Sequence, residues 1–69
     1  MSGPLDKNAL WGVLVEAVHR LPLYSSHKNY VKETILPEKP GIRPEELSER
    51  LNMPLGEAMV ILEELSRES

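Results

Sequence analysis

Few side chains in this sequence are suited to chemistry. His19 and His27 stand eight residues apart with Pro22 between them. That spacing does not put two imidazoles on one helical face, and no carboxylate spacing completes a ligand set, so no metal site is expected. Ser25-Ser26-His27 supplies the residue types of a nucleophile and its base. Sequence neighbours do not point at one another, however, and triads are assembled in space; helix capping suits those serines better. Glu45-Glu46 and Glu63-Glu64 are helix-surface pairs before they are acid/base pairs. Gly41 and Gly56 stand alone and make no phosphate-cradling loop. With no cysteine, disulfides and thiolate metal sites are excluded. A chain this short is also expected to lack the wall of an ordinary substrate cleft. The sequence therefore predicts no catalytic residue, no cofactor, no metal and no small-molecule substrate.

Charge narrows the partners. The net charge is −3 over 69 residues, but it is unevenly spread. Residues 1–43 carry six basic side chains against four acidic ones, whereas residues 44–69 carry two arginines against seven glutamates. Any attraction to phosphate must come from the first half. Lys28 and Lys32, with Lys39 and Arg43 on the loop beyond, could form a phosphate-contacting edge, with Tyr24 and Tyr30 as stacking rings. The alternative is a solvated surface over core tyrosines.

Those groups must be held by short helices. Asp6 is a good N-cap for a first helix over residues 6–21. In it Leu10, Val13, Leu14, Ala17, Val18 and Leu21 follow the i, i+3, i+4 rhythm of a core stripe. Trp11 and Val15 lie beside that stripe and widen the apolar arc to roughly 200°, about twice what one buried face needs. Pro22 stops the helix. Ser25 or Ser26 caps a second helix from about His27 to Leu36, with Tyr30, Val31, Thr34 and Ile35 inward, and Pro37 ends it. Pro44 opens a third, where Glu45 and Glu46 suit the helix macrodipole and Glu46 can pair with Arg50. A fourth runs from Pro54 or Leu55 to about Arg67, with Leu55, Ala58, Met59, Ile61, Leu62 and Leu65 on one arc. Ile42 could add at most one strand bridge. No run reaches the roughly 18 apolar residues of a membrane span. Met1-Ser2-Gly3-Pro4 lacks the basic and apolar regions of a secretory signal, so a cytoplasmic location is expected. Absent Phe, Gln and Cys, with charged residues at 28%, give a thermophile-like composition.

The segment Pro40-Gly41-Ile42-Arg43-Pro44-Glu45-Glu46-Leu47-Ser48-Glu49-Arg50-Leu51-Asn52-Met53 resembles the first part of winged-helix and related helix-turn-helix domains. Leu55 to Leu65 looks like the recognition helix that follows. Leu47 and Leu51 pin the first helix, and small Ser48 permits close helix approach. Asn52 fills the turn position that needs a left-handed backbone, where Gly is usual and Asn next best. Met53 plugs the turn, and Ala58 and Ile61 meet the first helix. The resemblance implies one all-α domain over residues 1–69. Its four short helices comprise a tri-helical helix-turn-helix core over 27–65 and an extra N-terminal helix. The sequence departs from the pattern in having Arg43 and Pro54 at the cap positions and no room for a wing.

The exposed face of the recognition helix is expected to show Gly56, Glu57, Val60, Glu63 and Glu64. Three carboxylates there repel phosphate and offer no base-edge donor. Nucleic-acid contact, if made, is then weak and carried by Lys28, Lys32, Lys39 and Arg43. The leading expectation is a non-catalytic protein-interaction subunit of a transcription-type or nucleoprotein assembly; the alternative is a small DNA-binding regulator. Trp11 and Val15 are the expected contact with another protein or a second copy, since a small fold has little interior left for them. For Trp11, plain core filling is the competing reading. Met53 and Met59 read as adaptable core residues.

Overall fold

The computed structural model describes residues 7–68, all of whose regular elements are helices. The expected Asp6 cap lies outside the described residues. Helix α1 covers Lys7–His19. Helix α2 covers residues 24–38 as an α-helical start, Tyr24–Tyr30, a π-helical stretch, Val31–Ile35, and a last α-helical turn, Leu36–Glu38. Helices α3, Pro44–Leu51, and α4, Leu55–Glu68, complete the fold. The expectation of an all-α, four-helix architecture holds. No strand occurs among the described residues, and Ile42 is buried in the core instead of pairing as a bridge.

The second helix departs most from expectation. It begins at Tyr24, and its N-cap is Leu23, with no side-chain cap. Ser25 and Ser26 lie exposed in the first turn. Pro37 does not end it. The preceding π-helical turn, in which the Leu36 amide donates to the Val31 carbonyl, widens the helix just where a proline ring presses on the turn before it. The helix resumes, and the Lys39 amide reaches the Ile35 carbonyl at 2.8 Å. Val31 and Ile35 face the core, but Tyr30 is exposed and the inward aromatic is Tyr24.

Between α3 and α4 the chain turns at Asn52, with φ 55° and ψ 49°. Asn52 is the one non-glycine residue with positive φ among those described. Asparagine tolerates this left-handed well because its short polar side chain crowds the backbone little. Ser48 fastens the turn twice. Its carbonyl accepts from the Met53 amide at 3.1 Å, and its Oγ donates to the Met53 carbonyl at 2.7 Å. Met53 is thereby driven into the core beside Leu47, Ala58 and Ile61.

Helix α4 is the centre of the packing: α3, α1 and α2 each rest on it. Helix α1 comes close because Gly56 has no side chain there. A Cβ at this position would lie 2.9 Å from Leu14 Cδ1. The core-facing side of α1 differs from the expected stripe. Trp11, Leu14, Val15 and Val18 pack inward, whereas Ala17 is exposed and Leu10 and Val13 are 49% and 65% exposed. Trp11 and Val15 therefore belong largely to the interior seam. The apolar flank left in water is Leu10 and Val13.

Candidate functional site

The acidic face of α4 is built inward. Glu57 is 2% exposed and Val60 is fully buried; Gly56, Glu63 and Glu64 are half-buried. The expected open face is thus covered by α1 and the start of α2. Glu57 and Glu64 meet polar groups from those helices, while Glu63 pairs within α4 with Arg67 at 2.7 Å. His27 Nδ1 lies 2.6 Å from Glu57 Oε2, and His19 Nε2 lies 2.7 Å from Glu64 Oε2. Because an ionised carboxylate only accepts, the ring nitrogen is the donor in each pair. Lys28 adds a bond to Glu64 at 3.3 Å and an ion pair to Glu68 at 2.8 Å. Sequence reading missed all of the pairs between helices. The partners lie on different helices, and helical periodicity gives no signal for such a match.

The basic residues proposed for phosphate contact are divided by the fold. Lys28 is committed to α4. Lys39 Nζ reaches both oxygens of Glu46, at 2.6 and 2.7 Å, and Arg50, the partner expected from helical spacing, forms a longer ion pair with Glu46 at 3.8 Å. Arg43 is exposed and lies 3.9 Å from Glu45. Lys32 is exposed. The hydrogen bond from Lys39 holds the Glu46 carboxyl below its ordinary value, helped by the charges of Lys39 and Arg50. Glu68 is lowered chiefly by its bond to Lys28, with the charges of Lys28 and Lys32 adding to the effect. Tyr24 is not a stacking platform: it is buried, with the His19 ring 4.9 Å away and Lys28 Nζ 5.9 Å above its face. Its hydroxyl is buried without a hydrogen-bond partner among the described residues.

The first half of α4 leaves an apolar strip open. Leu55 and Met59 are exposed and Leu62 is half-buried, a stripe turned away from Glu57 and Glu64. Beside it, Trp11, Ile42, Pro44, Met59 and Leu62, with Glu63 at the edge, line a shallow cleft of about 400 Å³. The surface carries other open hollows of comparable size. No group of three or more potential ligands able to hold a metal ion occurs among the described residues. None of the described helices is long and apolar enough to cross a membrane. No known family matches the chain, and neither a curated protein nor a solved structure does.

Proposed function

We propose that this chain is a non-catalytic, helix-turn-helix-like interaction module, a cytoplasmic component of a transcription-type or nucleoprotein assembly. Its partner is another protein or a second copy of itself. One observation carries this reading. The side of α4 that a DNA reader turns into the major groove is packed under α1 and α2, and the side left open is the apolar stripe Leu55, Met59 and Leu62 beside Trp11. Such a face has no base-edge donors, and apolar patches of this kind mark protein contact. The diversion of Lys28 and Lys39 into internal ion pairs also disfavours the alternative of a DNA-binding regulator. Contact through Trp11 is retained in this proposal, with Met59 and Leu62 in place of Val15. Salt-titrated binding to duplex DNA, run beside a concentration series of solution mass, tests it. Weak or absent DNA binding, with self-association that Met59→Glu weakens, is the expected result. Tight, sequence-selective DNA binding would overturn it.

A further inference from the structure

The two interhelical turns meet on one side of the molecule. Leu21 and Leu23 from the α1–α2 turn face Met53 and Pro54 from the α3–α4 turn, across a cleft of about 360 Å³ that His27, Glu57 and the uncharged Asn52 also line. That volume lies at the lower end of the range for small-ligand sites, which combine apolar walls with a few convergent polar groups. We propose that this cleft binds a primary ammonium group carried on a short apolar chain.

The polar groups select the head group. Among the described residues His27 is the partner of Glu57, and it bonds through Nδ1. A carboxylate offers about four lone-pair positions, so one such bond leaves acceptor capacity. The other ring nitrogen, Nε2, makes no hydrogen bond among the described residues, and the imidazole is 22% exposed. With the ring uncharged this polar pair carries one negative charge; with it charged the pair is neutral. It is never net positive. Lys28, the next cation along α2, is held by Glu64 and Glu68. An ammonium donates to the uncharged ring, and the carboxylate behind the ring stabilises its charge in a poorly solvated setting. A carboxylate ligand would add a second negative charge to the same place. The walls select the tail: Leu23 is 59% exposed and gains cover when an alkyl chain lies against it.

An ¹H–¹⁵N NMR titration of the full chain with hexylamine tests this, with hexanol and hexanoate as controls. Saturable amide shifts at Leu21, Leu23, His27, Asn52, Met53 and Glu57 are expected for hexylamine, with binding about tenfold or more weaker for hexanol and none for hexanoate. Glu57→Gln keeps the shape and removes the charge, and should weaken hexylamine by about tenfold. Should that variant fail to fold, Leu23→Ala, at an exposed position, should still weaken binding severalfold while leaving helicity intact. Nα-acetyl-lysinamide separates two sources of the ammonium. Binding within a few-fold of hexylamine points to a lysine side chain of another protein, and much weaker binding to free amines. Hexanol or hexanoate binding as well as hexylamine, or shifts confined to other parts of the molecule, would overturn the proposal.

Discussion

Replacing His27 by alanine strips from Glu57, which is 2% exposed, the one partner it has among the described residues. Breaking a buried pair from one side leaves an uncompensated charge and costs about 3–5 kcal/mol. Glu57 sits in the first turn of α4, where the free amide groups of the helix end offset about 0.3–1 kcal/mol of that. The expected loss for His27→Ala is therefore about 2–5 kcal/mol. A domain of this length has only about 3–10 kcal/mol in total, so the variant should stand close to its unfolding threshold. The reverse change is milder. Glu57→Gln keeps an acceptor for Nδ1 and strands no charge, so about 1 kcal/mol is expected. The double variant His27→Ala, Glu57→Leu removes both polar groups and should regain most of the loss, because replacing both partners of a buried hydrogen bond by apolar groups can be nearly neutral. Urea unfolding followed by far-ultraviolet circular dichroism measures all three together with Glu57→Leu alone, and the cycle of His27→Ala and Glu57→Leu should show a coupling of about 2 kcal/mol. If His27→Ala is no more harmful than Glu57→Gln, or if the double variant is as unstable as the two single losses added together, the pair does not anchor α2 to α4.

Three further outcomes follow from the turn and from the surface charges. Asn52→Gly should be neutral or slightly stabilising, whereas Asn52→Val should lose about 1–2 kcal/mol, because a β-branched residue is strained at φ 55°; equal thermal stabilities would count against the left-handed turn. Ser48→Ala removes the bond to the Met53 carbonyl and should cost about 1 kcal/mol, measured by the same urea titration. Glu46 and Glu68 are held below their ordinary value of 4.5. Their contribution is therefore present above that value and is lost as the pH falls through their lower folded values. Stability should drop more steeply below pH 4.5 in the wild type than in Glu46→Gln, and identical acid unfolding curves would refute it.

Much of the fold is legible in the sequence because it depends on neighbours along the chain. Pro22, Pro44 and Asn52 punctuate four helices, and the 3.6-residue rhythm turns Val18, Leu47, Ala58, Ile61 and Leu65 inward. Asn52 and Met53 read as a turn because few other residues satisfy a left-handed backbone followed by an apolar plug. Pro37 misleads, because a proline signals a helix end in sequence and only the helix geometry shows the π-helical turn that admits it.

The candidate sites depend on distant matches. His27 and Glu57 are separated by 30 residues, His19 and Glu64 by 45, and each pair exists only because α1 and α2 close over α4. The same holds for the surface. The apolar arc of α1 is wide enough to dock on either flank, so composition alone leaves two choices. Gly56 settles the matter: the gap it leaves admits Leu14, which draws Trp11 and Val15 inward and leaves Leu10 and Val13 in water. Periodicity describes one helix at a time, whereas the buried face is chosen by the pair of helices that fit together.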